Sequence, residues 1–217
     1  METIVYLIRH SIADKKNNEV EIIDNDSLQL KNEKQILTVL GEKKAEIFSQ
    51  LKEFDNIDLI VSSNYTRTKA TAKYIAEKNQ IKLHIDANLG ERKFGIDKWE
   101  ELPENYEQKQ WNDNDYSTSN GESINQVMER MDKSISKLVL NNLGKKIVIV
   151  SHSTAIASYF LKYCEKKQEN GLIEVSHKGN ILLDGKWNSP EIYKIIFESN
   201  TVTSIERIRP IELEIKY

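Results

Sequence analysis

"TIVYLIRH" (Thr3–His10) is a nearly unbroken apolar run of β-favouring residues that ends in two polar, potentially cationic side chains. A run of this kind fits a strand covered on both faces. Two later stretches have the same form, "IDLIVSS" (Ile57–Ser63) and "KKIVIVSH" (Lys145–His152). Each is followed by a helical pattern. The first is "YTRTKATAKYIAEKN" (Tyr65–Asn79), with Ala70, Tyr74 and Ile75 inward, and the second is "STAIASYFLKYC" (Ser153–Cys164). Strands alternating with helices predict an α/β sandwich with a mostly parallel central sheet.

The remaining elements are consistent with that reading. Thr38 can cap a helix that places Leu40, Phe48 and Leu51 on one face. Ser123 with Gln126 forms a capping-box pattern before a long apolar face of Ile124, Val127, Met128, Met131, Ile135, Leu138 and Val139. The two methionines on that face read as core. "IKLHID" (Ile81–Asp86) alternates as a half-exposed strand, and "EIYKIIFESNTVTSIERI" (Glu191–Ile208) reads as an antiparallel hairpin around a Ser-Asn turn. Ala13–Gln35 is polar and reads as a loop with one short element. Residues 88–121 lose all periodicity yet hold Phe94, Trp99, Tyr106, Trp111 and Tyr116, so a folded lid or pocket wall is expected there. No repeat or linker divides the chain, and a single domain over 1–217 is expected.

Composition narrows the partners. Of 217 residues, 39% are hydrophobic and 30% charged, with a net charge of −3 and signs interspersed, which suits a soluble globular protein without a basic stripe for nucleic acid. The apolar runs are too short to span a bilayer, and "METIVYLI" enters a strand pattern with no basic leader. The one cysteine, Cys164, excludes an internal disulfide, suits a reducing cytoplasm, and reads as a small buried hydrophobe. Only six basic residues are arginine (Arg9, Arg67, Arg92, Arg130, Arg207 and Arg209) against twenty-five lysines, so each arginine is a candidate for two-pronged anion recognition.

In open α/β sheets ligands bind beyond the carboxyl ends of the strands. The first run ends in Arg9 and His10, the second leads to Arg67 in the first turn of its helix, and the third ends in His152. Singly, Arg67 would be an exposed helix residue and His152 a hydrogen-bonded edge histidine. His84, on the polar side of its strand, and His177, in a polar turn, are the ordinary cases. Cationic groups beside helix N-termini oppose the macrodipole unless an anion lies between them, so the convergence predicts a phosphate site.

The ordered set "LIRHS", "LTVLGEKKA", "SSNYTRTKATA", "NLGERKFG", "NGES" and "VIVSHST" resembles the histidine phosphatase superfamily, with its phosphoglycerate mutase-like three-layer α/β/α sandwich. The resemblance runs from Ile4 to about Phe160. It implies His10 as the nucleophile that forms a phosphohistidine, with Arg9, Arg67 and His152 holding the phosphate oxygens. It also implies Glu91 as general acid and then base, since a neighbouring phosphate dianion favours the protonated form needed first. From sequence alone, a glutamate in this charged loop would be solvated. Arg92 is a further candidate for substrate contact or a carboxylate pair, and Glu122 for bracing a pocket arginine. Ser11 and Ser153 replace the small residues usual after the two histidines, adding hydroxyls near the phosphate. No metal or cofactor is implied. The substrate would be a small phosphorylated metabolite or a phosphoprotein, with a mutase or a non-catalytic phosphate-binding module as the alternatives.

Overall fold

The computed structural model describes residues 1–14, 27–169 and 172–209. The central sheet is built from β1 (Glu2–Arg9), β2 (Leu59–Ser62), β3 (Leu83–Ile85), β4 (Lys146–Ser151), β8 (Glu191–Glu198) and β9 (Thr201–Ile208), in the order β3-β2-β4-β1-β8-β9. A second sheet holds β5 (Glu165–Glu169), β6 (Leu172–His177) and β7 (Asn180–Asp184). The helices are α1 (Leu28–Lys34), α2 (Val39–Ser49), α3 (Thr66–Asn79), α4 (Tyr106–Asn112), α5 (Ile124–Leu140) and α6 (Ser153–Phe160).

Strands β1 to β4 run parallel, while β8 and β9 add an antiparallel hairpin beside β1. Pleating sorts their side chains between two cores. Val5, Leu7, Ile147 and Ile149 meet α5 and α6 on one face. Tyr6, Ile8, Val148 and Val150 meet Phe48 of α2 and Ala72 and Ile75 of α3 on the other. Both faces are covered, which is why these strands read as continuous apolar runs. The sandwich, the mostly parallel sheet and the hairpin are as expected. So are the caps: Thr38 accepts from the Gly41 amide at 2.9 Å, and Ser123 and Gln126 form a complete capping box.

The pattern misplaced several details. The buried face of α3 is Thr68, Thr71, Ala72, Ile75 and Ala76, with Ala70 and Tyr74 only half-buried. The Tyr74 hydroxyl instead reaches across to donate to Glu42 on α2 at 2.7 Å. α6 stops at Phe160, and Cys164 beyond it is half-buried against the core, with burial pushing its thiol up to about 12. His177 ends β6 and is buried, its Nδ1 3.0 Å from the Tyr163 carbonyl. The β5-β6-β7 sheet was not anticipated; its Ile173, Val175, Leu182 and Leu183 join the core beside α5 and α6. Part of the polar stretch, residues 15–26, lies outside the described residues, and α1 is its one short element among those described. Among the described residues no helix is long and apolar enough to cross a membrane.

Candidate active site

The register of the parallel strands brings the predicted residues together. Arg9 lies opposite Ser151, so the His10 amide donates to the Ser151 carbonyl at 3.1 Å and His10 stands abreast of His152. On the far side of β4, the Ser63 amide donates to the Val150 carbonyl at 3.1 Å. The two histidine rings are 5.2 Å apart between centroids. Arg67, buried in the first turn of α3, joins them: Nε donates to His10 Nε2 at 3.0 Å, and Nη2 lies 3.2 Å from His152 Nδ1. Its third nitrogen, Nη1, donates to the Asn32 carbonyl at 2.6 Å.

These contacts fix both tautomers, because a guanidinium only donates and a carbonyl only accepts. His10 Nδ1 sits 2.6 Å from the Ser11 carbonyl and so carries the proton, leaving the lone pair on Nε2. His152 is the reverse. Its Nδ1 accepts from Arg67, and its Nε2 donates to Ser63 Oγ at 2.9 Å. Ser63 Oγ lies 2.7 Å from Thr68 Oγ1, which donates to the Tyr65 carbonyl at 2.8 Å, so the hydroxyls form a directed chain behind the ring. Both imidazoles are held well below the ordinary histidine value. Burial is the main cause for each, followed by the charge of Arg67; Arg9 adds to both, and Arg130 and His10 to His152. Both rings are therefore neutral at pH 7.

Arg9 reaches the same ledge from the end of β1. Its Nη1 donates to the Asn188 carbonyl at 2.8 Å, and its guanidinium lies 5.7 Å from the Trp187 ring. Burial depresses Arg9 and Arg67, and the charge of Glu91 opposes the depression in both, which places that carboxylate within their field. Glu91 itself sits at the N-terminus of α6. Its Oε1 accepts from the Arg92 and Ala155 amides at 2.9 and 3.0 Å, and its Oε2 from the Thr154 amide at 3.2 Å.

A second tier holds this loop in place. Arg130 on α5 donates to the carbonyls of Asn88, Gly90 and Glu91 at 2.7, 2.9 and 3.1 Å, and Glu122 grips it through Nε and Nη2 at 2.7 and 2.9 Å. Burial raises Glu122, but the bonds to Arg130 outweigh it and hold the carboxyl below its ordinary range. Glu122 thus braces an arginine as expected, although that arginine supports the Glu91 loop. Thr71 is another link, accepting from the Ser11 amide at 3.0 Å while donating to the Arg67 carbonyl at 2.8 Å.

Two residues expected to contact substrate are directed elsewhere. Arg92 is buried at 2% exposure, bonded to Gln110 at 2.5 Å and stacked 4.5 Å from Phe94; it makes the carboxylate pair that was its other expected role, with Glu107 at 3.4 Å. The Ser11 hydroxyl turns away from the histidines and donates to the Gly41 carbonyl at 2.7 Å. Ser153 opens α6, half-buried beside His152. Spacing gave no signal for Ser63, Thr68 or Thr71, while Arg130 was visible as one of six arginines. Among the described residues no group of three or more histidine, cysteine or acidic side chains is arranged for a metal.

Beside this ledge lies a cavity of about 610 Å³, walled by Ser27, Leu28, Gln29 and Asn32 on one side and by residues between Lys93 and Asn120 on the other. Asn32 joins the two, lining the cavity while its carbonyl holds Arg67.

The sequence profile of the histidine phosphatase superfamily (branch 1) matches residues 5–181. A probable phosphoglycerate mutase of Yersinia enterocolitica is 27% identical over 160 residues, 70% of each chain. Two solved structures share the fold. A mycobacterial glucosyl-3-phosphoglycerate phosphatase has a TM-score of 0.65 and 17% identity, covering 90% of this chain and 91% of its own. A phosphoserine phosphatase of Entamoeba histolytica, in complex with 3-phosphoglyceric acid, has a TM-score of 0.64 and 23% identity, covering 94% and 96%.

Proposed function

Because the chain belongs to the histidine phosphatase superfamily, we propose that it is a metal-independent phosphomonoester hydrolase working through a phosphohistidine on His10. The tautomer of His10 carries this reading. With Nδ1–H tied to the Ser11 carbonyl, the ring presents its Nε2 lone pair toward Arg67. An anion-binding centre needs no lone pair there, and a nucleophile does.

In the first step His10 Nε2 bonds to phosphorus as the ester P–O bond breaks, and the leaving alkoxide takes a proton from Glu91. In the second, water attacks phosphorus as the N–P bond breaks, and Glu91 takes the water proton. Glu91 Oε2 suits this shuttle, since it accepts one amide where Oε1 accepts two and so keeps a lone pair to spare. Arg9, Arg67 and His152 hold the non-bridging oxygens and stabilise charge in the transition state, which is the main catalytic work in phosphoryl transfer. Arg92 serves the wall over residues 88–121, and Ser11 contributes its carbonyl.

Phosphate release from 4-nitrophenyl phosphate, measured with chelator present, tests the reading. Wild type should turn over and His10→Ala should not; equal rates would overturn it. The relatives named as probable phosphoglycerate mutases favour a second reading, phosphoryl transfer between hydroxyls. That activity would require a bisphosphate primer and release little inorganic phosphate.

A further inference from the structure

We propose that the alcohol released from the substrate is uncharged, larger than a three-carbon acid, and carries a flat ring that stacks on Trp99. The inference rests on the phosphatase reading above and adds the substrate class. Its starting point is the size and chemistry of the cavity beside the phosphate ledge.

At about 610 Å³ the cavity lies within the range of roughly 300–1,000 Å³ that encloses drug-sized ligands. A three-carbon acid would leave most of it to water. Its charge also argues against acidic leaving groups. Among the described residues Lys93 is the one cation on the wall, which also holds Asp97 and Glu101. Arg92, which could have met a second anionic group of the substrate, is buried between Phe94 and Tyr106, bonded to Gln110 and paired with Glu107 at 3.4 Å. A substrate bearing a second anionic group would thus meet more negative than positive charge, which works against its binding.

The polar and apolar parts of the wall are complementary to a ring that also bears hydroxyls. Trp99 is 48% exposed and stands edge-on to Phe94 with centroids 5.0 Å apart, so the contact with Phe94 leaves indole surface open. It also lines a second recess of about 290 Å³, where Lys31 and Lys98 balance Asp97 and Glu100, so the indole divides two spaces. Ser117, Ser119 and Asn120 line the larger cavity too. Thr118, between them, spends its hydroxyl on the Phe94 carbonyl at 2.5 Å and so fixes the position of that strip.

The test compares kcat/KM, by phosphate release, for adenosine 5′-monophosphate, uridine 5′-monophosphate and pyridoxine 5′-phosphate with those for 3-phosphoglycerate and glycerol 3-phosphate. Wild type and Trp99→Ala are both assayed, with 4-nitrophenyl phosphate as the general substrate. At least one ring-bearing ester should exceed both three-carbon esters by about thirtyfold or more. Trp99→Ala should lower kcat/KM for the ring-bearing ester about tenfold relative to glycerol 3-phosphate, in keeping with the worth of base–aromatic stacking. Equal or better turnover of the three-carbon esters would overturn the proposal, as would an equal loss on every substrate in Trp99→Ala. If 4-nitrophenyl phosphate is not hydrolysed either, the phosphatase reading itself fails. If it is hydrolysed without ring preference, only the present inference fails.

Discussion

Lowering the pH from 7.5 to 5.5 should destabilise the fold through His10 and His152, by an amount that their surroundings set. Both imidazoles are buried beside guanidinium groups and held well below the ordinary value of 6.5. Once unfolded they protonate near that ordinary value, so below it the unfolded chain binds more protons than the folded one. Their contribution is therefore fully present above pH 6.5 and is lost as pH falls toward the folded-state values. For a ring that stays neutral in the fold down to pH 5.5, the loss over this interval is about 1.4 kcal/mol, or roughly 2.7 kcal/mol for the pair. Urea unfolding at the two pH values measures the total, to which carboxylates also contribute. A double variant, His10→Asn with His152→Gln, isolates the histidines. Neither replacement titrates in this range. The asparagine amide can still donate to the Ser11 carbonyl, and the glutamine amide can still donate to Ser63 Oγ. The pH-dependent loss should be smaller in this variant by roughly 2.7 kcal/mol. An equal loss in variant and wild type would refute the neutrality of the two rings in the fold.

Three further outcomes follow from single contacts. A Cβ at Gly41 would lie 2.2 Å from the Ile12 carbonyl oxygen, so Gly41→Ala should cost about 1–3 kcal/mol in urea unfolding and lower turnover by shifting the loop after His10. Unchanged stability and turnover would contradict that contact. Arg130→Met should release the Glu91 loop and cut kcat on the order of a hundredfold, with inhibition by inorganic phosphate little changed; a pure loss of phosphate affinity would place Arg130 in the binding site instead. Finally, His152 Nδ1 is an acceptor and cannot donate to a phosphate oxygen until it gains a proton. Calorimetry of phosphate binding at pH 8, in buffers of different ionisation enthalpy, should show about one proton fewer taken up by His152→Gln than by wild type. The same uptake in both would assign that proton elsewhere.

Much of the fold was legible because its strands are covered on both faces: the apolar runs at Thr3, Ile57 and Lys145 announce themselves, and their polar ends mark the site. The caps at Thr38 and Ser123 were legible for a local reason, since a side-chain oxygen needs only the next turn of its own helix. The small sheet was not. "EKKQE" (Glu165–Glu169) pairs with β6, and its half-buried Lys166 reaches the Trp111 carbonyl at 2.5 Å and Asn114 at 2.8 Å, contacts with a distant segment that five charged or polar residues do not record. His177 was misread for the same reason, as its burial depends on Tyr163, fourteen residues away. Within the site, side chains at strand ends could be placed from the sheet alone. The hydroxyl chain through Ser63 and Thr68 depends on how closely α3 approaches β4, which spacing does not contain.

Arg67 explains why these residues must act together. Its guanidinium divides its donors among His10 Nε2, His152 Nδ1 and the Asn32 carbonyl, so both imidazole lone pairs are engaged by one side chain. A phosphoryl group offers only acceptors, and to hold one Arg67 would redirect Nε and Nη2 from the rings to its oxygens. In the proposed reaction that exchange would free the His10 lone pair at the moment an electrophilic phosphorus arrives beside it. It also strips His152 of its donor partner and sets an anion against it, which favours its protonated, donating form. Nucleophile release and charge complementarity would then follow from one displacement, with the Ser63 and Thr68 hydroxyls, bonded behind the His152 ring, keeping it oriented. By the same logic, replacing Arg67 with lysine would supply charge without the fork that links the two rings, so it should not restore turnover.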